Sequence, residues 1–288
     1  MFQYFQKIKF KGEFWVKKKI IGVGIAIIVV ILLLFLTGCG NTNETSNEQQ
    51  NEEKQISSYK TISKEEEKVG CYADVNGDGS PDGIIYADLS VEKNGMWNHD
   101  YNTYSYKAIP NVKEYYISQT NYEGPFGTKD VLTAIEGEGQ DRLYVMSLTD
   151  VEQGKSYCWY EKAFEKMNDY KETTSIGFGT GKNNTITMID KWNNSEYGEK
   201  NTEKDMWGVI QDEVKDGWFV PSREEWCAFG DRLGITVDNY QNYGLKVWYW
   251  TSSQATNKDA WIAMCGSSDI NGNDVDLSAC TVRLSITF

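Results

Sequence analysis

The amino-acid sequence predicts an α+β fold, in which helices precede a strand-rich carboxy-terminal end. Three observations predict it: a capped helix begins at Ser222, the hydrophobic period changes to two after Gly234, and two further helical patterns lie ahead of that helix. The chain is long enough for one sizeable domain, or for a domain with an appendage.

The helix predicted after Ser222 has a start signal and a stop signal. Ser222 stands three residues before Glu225, a spacing at which each residue can bind the backbone amide of the other. Gly234 stands where a left-handed backbone is least costly. The predicted buried stripe of this helix is Trp226, Phe229 and Leu233.

Strands are predicted after this helix and in the middle of the chain. Residues 248–250 form an aromatic segment, and residues 260–264 form a second apolar one. At the end of the chain Val282, Leu284, Ile286 and Phe288 alternate with Arg283, Ser285 and Thr287. This alternation predicts that the final residues are held inside a sheet. Residues 142–148 are predicted as a central strand.

Two helices are predicted ahead of this end. Residues 177–182 contain the glycines of a phosphate loop, but Asn183 follows Lys182 and the full spacing is missing, so we predict a loop before a helix. The residues that predict the first helix are Thr185, Ile186, Ile189 and Trp192. Those that predict the second are Met206, Trp207, Ile210 and Val214, with Asp205 as its cap.

A family resemblance rests on five short motifs. They are Trp218-Phe219-Val220-Pro221-Ser222, Glu225-Trp226, Tyr249-Trp250-Thr251-Ser252-Ser253, Ala260-Trp261 and Val282-Arg283-Leu284-Ser285. Over residues 112–288 they resemble bacterial domains with the C-type-lectin fold of the formylglycine-generating-enzyme type, and within that group they are similar to variable proteins of diversity-generating retroelements. The resemblance implies a twisted antiparallel sheet with two to three flanking helices.

The same resemblance implies a ligand-binding patch near the carboxy terminus, whose codons a reverse transcriptase rewrites at adenines. Randomised adenines in an Asn-type codon ending in a pyrimidine never encode Lys, Glu, Gln, Met or Trp, and none of these occurs in residues 265–288. Exposed loops and strands avoid these residues for other reasons, so both explanations stay open. Lys258 and Met264 did not arise by that route.

Short polar side chains on a sheet-supported surface can change without disturbing a core, which favours residues 255–259 and 265–281 as the patch. The predicted partner is an unknown extracellular protein or glycan. The candidate ligand-binding residues are Ala255, Thr256, Asn257, Asp259, Ser267, Ser268, Asp269, Asn271, Asn273, Asp274, Asp276, Ser278 and Thr281.

The first residues predict a lipoprotein. A lysine-rich start, an uncharged run at 20–36 and small residues before Cys39 are typical of a lipoprotein signal peptide at 1–38, with Cys39 lipidated. The alternative is a short transmembrane anchor. Residues 39–67 are polar and are predicted to be a flexible linker. We therefore expect an extracytoplasmic protein that is attached to the membrane by its lipid alone.

The charge of the chain argues against nucleic-acid partners. The formal net charge is −13, and residues 1–38 carry six lysines and one glutamate, so removing them leaves −18. A surface so acidic repels phosphate backbones and anionic lipids.

A calcium-type loop is predicted inside a small β extension at residues 68–111. Asp74, Asn76, Asp78 and Asp82 place oxygen atoms at relative positions 1, 3, 5 and 9, and Gly79 allows the sharp turn. Ile85 at position 12 excludes an EF-hand. We expect structural Ca²⁺ here; the alternative is a hairpin turn built on Asn76-Gly77 or Asp78-Gly79.

No catalytic residue is predicted. His99 is the only histidine, which excludes histidine triads and Cys/His zinc sites. Five cysteines remain after Cys39, and Cys265 and Cys280 could bridge neighbouring strands or could be products of diversification. Cys227 is predicted as a buried thiol. A hydrolase or oxidase using carboxylates or cysteines is the disfavoured alternative, because no acid/base pair stands out.

Overall fold

The computed structural model describes residues 60–63 and 65–288, without the side chain of residue 120, and has an α+β fold. Its strands are β1 (Tyr72–Ala73), β2 (Gly83–Asp88), β3 (Lys93–Met96), β4 (Thr103–Tyr106), β5 (Tyr115–Gly124), β6 (Gly127–Ala134), β7 (Leu143–Ser147), β8 (Trp248–Gln254), β9 (Asp259–Met264), β10 (Asp269–Asp274) and β11 (Ser285–Thr287).

The helices lie between β7 and β8. The α-helices are α1 (Tyr170–Thr173), α2 (Gly181–Asn193), α3 (Met206–Val209), α4 (Gln211–Lys215) and α5 (Arg223–Arg232), and 3₁₀ turns occur at Val151–Gly154, Glu161–Ala163 and Tyr240–Tyr243. No helix among the described residues is long and apolar enough to cross a membrane.

The larger sheet has six strands in the order β11-β7-β2-β1-β6-β5. All its described pairs are antiparallel except β1 with β6, which are parallel. The sheet, which was predicted to be antiparallel, therefore contains one parallel pair of strands. Strands β1 and β2 form the middle of this sheet, and their side chains are buried on both faces. Both strands come from the segment at 68–111 that was predicted as a β extension. Residues Tyr59–Phe288 accordingly form one compact unit.

The last residues of the chain are held in that sheet, as predicted. The Phe288 amide donates to the Leu143 carbonyl over 2.8 Å, and the Phe288 carbonyl accepts from the amides of Arg142 and Leu143. The apolar side chains of Val282, Leu284, Ile286 and Phe288 are buried. Of the alternate positions, Arg283 and Ser285 are also buried.

Helix α5 confirms its sequence signals. Both hydrogen bonds of the capping box between Ser222 and Glu225 are present, and Gly234 adopts a left-handed conformation with φ 62°. The Glu225 carboxylate also accepts the amides of Gly179 and Gly181, at the start of α2. One buried carboxylate thus joins the beginnings of two helices.

The two helices predicted ahead of α5 are present with different boundaries. Helix α2 buries Thr185 and Trp192, but Ile186 is 47% exposed, because Asn184 and Met188 supply the rest of the buried face. The second predicted helix is two short helices, α3 and α4, that meet at Ile210. Its predicted cap, Asp205, makes no side-chain cap bond. The Asp205 carboxylate instead accepts the Trp192 indole N–H over 2.8 Å and the amides of two loop residues.

Part of the predicted linker contacts the sheet. The Ile62 amide donates to the Tyr115 carbonyl over 3.0 Å, and its side chain is 3% exposed. The Arg142 guanidinium binds the carbonyls of Ser63 and Glu66 together with the Asp88 carboxylate. The described residues of this segment, 60–63 and 65–67, therefore pack against the domain. The predicted signal peptide, Cys39 and most of the predicted linker lie outside the described residues.

Candidate ligand-binding face

The candidate site is built on the smaller sheet, which has three strands in the order β10-β9-β8. Strand β10 lies at its edge and pairs with β9 from Asp269 opposite Met264 to Asp274 opposite Asp259. Side chains of successive residues point to opposite faces of a strand. The two faces of this sheet contact different parts of the core.

Strand β9 is covered on both sides, whereas β10 is not. Ala263 and Ile270 pack in the apolar cluster that contains Trp226 of α5. Ala260 and Ile262 pack in a second cluster, with helices α2 and α3. On β10, Asn271 and Gly272 are exposed. The edge strand therefore presents a polar surface above a packed support.

The predicted ligand-binding residues fall into three groups by exposure. Ser267, Asn271 and Ser278 are exposed. Those that are partly exposed are Ala255, Thr256, Asn257, Asp259, Asp269, Asn273, Asp274 and Asp276. Ser268 and Thr281 are 5% and 4% exposed, so the structure contradicts their assignment to an open surface. Thr281 is buried because its backbone binds that of Trp248 and Trp250.

Asp269 is fixed by a segment that the patch prediction omitted. Its carboxylate accepts the Tyr101 hydroxyl over 2.9 Å and the Asn102 side-chain amide over 3.0 Å, and His99 lies 3.8 Å away. Burial acts to raise the pKa of Asp269, but these two hydrogen bonds outweigh it and hold the pKa below its ordinary value. The tip between β3 and β4 thus belongs to the candidate face.

A carboxyl pair lies at the other end of β10. Asp274 stands directly opposite Asp259, which also accepts the Thr256 hydroxyl over 2.7 Å. A hydrogen bond with Asp259 is the main cause that raises the pKa of Asp274 above its ordinary value. Like charges opposite each other are unfavourable, and a shared proton relieves them.

Arg223 and Trp261 lie beside this surface, and sequence reasoning did not assign them to it. Arg223 begins α5, and its guanidinium carbon lies 4.9 Å from the centroid of the Trp261 ring. Its Nη2 donates to the Tyr101 carbonyl. The sequence did point to Trp261, which is in one of the quoted motifs. Its position opposite Gly272 became known only from the pairing of β9 with β10.

The predicted calcium loop has its oxygens turned toward backbone amides. Asp74 accepts the amides of Gly77, Asp78 and Gly79, and Asp82 accepts those of Val75 and Asn76. In the described part of the chain no group of three or more acidic, histidine or cysteine side chains could hold a metal ion. This arrangement fits the hairpin-turn alternative, and Ca²⁺ stays a prediction.

The cysteines are free thiols in the described structure. Cys265 and Cys280 belong to two different apolar clusters, so the strands do not bring them together. Burial raises the pKa of each to about 12, which keeps both protonated at neutral pH. Cys227 is fully buried, as predicted.

A cavity of about 650 Å³ lies away from these residues. Its walls include Asp82, Asp150, Glu152, Glu213 and Trp218, and no residue of 255–281 lines it. Three of its carboxylates already have partners: Asp82 accepts two backbone amides, Asp150 binds Arg283 over 2.6 Å, and Glu152 accepts the Tyr157 hydroxyl. The volume of this cavity is therefore not a sufficient reason to prefer it to the face on β10 as the ligand-binding site.

Comparisons with known proteins give little further information. No family model and no curated protein match the chain. A solved structure of a fimbrial protein from Bacteroides ovatus is similar at a TM-score of 0.36 and 17% identity. The similarity covers 51% of this chain, and the chain spans 36% of the fimbrial protein.

Proposed function

We propose that this protein is a surface-anchored lipoprotein that binds an extracellular ligand through the face formed by β10 and its adjoining turns. Its domain would have the C-type-lectin-like fold of the formylglycine-generating-enzyme type, and its role would be that of a variable protein of a diversity-generating retroelement. We propose no catalytic activity, since the thiols of Cys158, Cys227, Cys265 and Cys280 are buried and the candidate face contains no acid/base pair placed around a cleft.

One observation carries the proposal. Asn271 and Ser278 are exposed on the edge strand and the following turn, while Ile270 and Val275, from the same segment, are buried below them. Exposed side chains of this kind can change with little cost, while the support stays fixed. A binding surface that varies needs this separation.

The DNA around the gene tests the variable role. We expect a near-copy of the codons for residues 248–288 beside a reverse-transcriptase gene, with adenine differences concentrated at codons of exposed residues. Its absence would favour the alternative, a fixed adhesion or glycan-binding module of the cell envelope. Differences concentrated at codons for Ile270, Val275 and Val282 would contradict the proposed face.

Anchoring at Cys39 is a separate part of the proposal. In cells fed a labelled fatty acid, we expect the full chain to carry label and to fractionate with membranes. Cys39→Ser should lose the label. A Cys39→Ser chain that keeps the label would reject this attachment site, and an unlabelled chain that stays in membranes would favour a transmembrane anchor.

Structural Ca²⁺ at the loop of Asp74, Asn76, Asp78 and Asp82 is proposed on the oxygen spacing alone. Calorimetry with CaCl₂ should show uptake that Asp78→Ala removes. No heat of binding at millimolar Ca²⁺ would leave the loop as the hairpin turn that its amide contacts describe.

A further inference from the structure

Arg223 is a buried cation without a counter-charge among the described residues. It is 7% exposed, its Nε has no hydrogen-bond partner, and its guanidinium binds one carbonyl, that of Tyr101. A buried charge is costly unless it is paired. An anion that binds this guanidinium would therefore gain more binding free energy than an anion that binds a solvated arginine.

One aromatic ring lies against the guanidinium. Trp261 lies beneath it and is partly exposed, whereas the ring of Tyr101, a residue that is 55% exposed, stacks on His99. Gly272, opposite Trp261 on β10, has no side chain to cover the ring, and a Cβ atom there would meet nothing closer than 3.7 Å. Beside the Trp261 ring, Gly272 thus leaves room for atoms in ordinary van der Waals contact, on the side of β10 to which both residues point.

We propose that Arg223 and Trp261 form a subsite for a saccharide that carries a single carboxylate, such as a uronic acid. A guanidinium donates charge-assisted hydrogen bonds to a carboxylate, and the Trp261 ring offers an apolar face to the sugar ring. The subsite rests on the proposed function, because it names the ligand class of the same face.

The charge of the chain narrows the ligand further. The chain without residues 1–38 carries a net charge of −18, which repels polyanions more strongly than a ligand with a single carboxylate. Sulfated or phosphorylated polymers are therefore disfavoured. A hexaglutamate peptide would offer carboxylates but no ring to stack on Trp261.

The test compares glucuronate with glucose, which differ in the carboxylate, by calorimetric titration of the full chain in detergent. We expect glucuronate to bind at least about tenfold more tightly. Arg223→Met should abolish that difference, and Arg223→Lys should restore part of it. Arg232→Met, at the other end of α5, is the matched control and should leave it unchanged. Thermal unfolding of each variant checks that it folds.

Three outcomes overturn the subsite. They are equal binding of the two sugars, a preference for glucuronate that survives Arg223→Met, and binding of a hexaglutamate peptide in place of glucuronate. If no sugar binds but a near-copy of the codons for residues 248–288 is found, the subsite fails and the variable face stands. If glucuronate binds through Arg223 and no such copy exists, the variable role fails and the subsite stands.

Discussion

Buried arginines have different partners in two regions of the molecule. At the larger sheet, Arg142, which directly precedes β7, forms an ion pair with Asp88 at 2.8 Å, and Arg283, two residues before β11, forms one with Asp150 at 2.6 Å. Beside the smaller sheet, the buried Arg223 has an aromatic ring and a carbonyl as neighbours and no described carboxylate partner. The difference separates arginines that stabilise the fold from one that is available to a ligand.

The largest expected effect comes from breaking a pair. Arg142→Met leaves the Asp88 carboxylate buried without its cation and removes the hydrogen bonds to the Ser63 and Glu66 carbonyls. We expect a loss of about 3–5 kcal/mol in the free energy of unfolding, measured by urea denaturation. A loss below about 1 kcal/mol would mean that the pair is not a main support of the sheet.

A second effect depends on pH. Burial raises the pKa of Glu225 from 4.5 to about 7, although the amides of Ser222, Gly181 and Gly179 act to lower it. Because the pKa is higher in the folded state, folding favours the protonated form of Glu225 and so gains stability from it. This contribution to the free energy of unfolding is fully present below about pH 4.5 and is lost as the pH rises through about 7.

Glu225→Gln should remove this dependence. Between pH 4 and 8 we expect the wild type to lose on the order of 3 kcal/mol more than Glu225→Gln in the free energy of unfolding. Parallel stability curves for the two proteins would show that the amides keep Glu225 ionised throughout.

A smaller effect is expected at the unpaired arginine. Arg223→Met loses one hydrogen bond and a ring contact but leaves no charged partner behind. We expect a loss of less than about 1.5 kcal/mol in the free energy of unfolding by urea denaturation, well below that of Arg142→Met. Equal losses in the two variants would remove the distinction between the regions.

The smallest effect is expected on the candidate face. Asn271→Ser changes an exposed side chain and should shift the free energy of unfolding by no more than about 0.5 kcal/mol. Its neighbour Ile270 is 1% exposed, and Ile270→Ala should cost about 2–5 kcal/mol. Similar costs at both positions, again by urea denaturation, would contradict the division into surface and support.

Local signals in the sequence predicted much of the fold. Ser222, Glu225 and Gly234 marked the ends of α5 because capping depends on residues close together in the chain. The place of β1 and β2 was not predictable in this way. A strand of two residues, Tyr72–Ala73, has no readable period, and its parallel pairing with β6 is a long-range contact.

The candidate face was predicted only in part for the same reason. Composition identified the polar residues of 255–281 but could not show that Ser268 and Thr281 are buried, because long-range contacts bury them. The contribution of Tyr101 and Arg223 comes from segments far away in sequence. Only the folded arrangement brings them beside Asp269 and Trp261.

The most direct test of the central claim is a display library in which each codon of residues 255–281 is randomised and the folded fraction is measured position by position. We expect wide tolerance at Ser267, Asn271 and Ser278, and intolerance at Ile270, Val275 and Cys280. Uniform intolerance along the segment, or tolerance at the buried positions, would contradict a replaceable polar face on a fixed support.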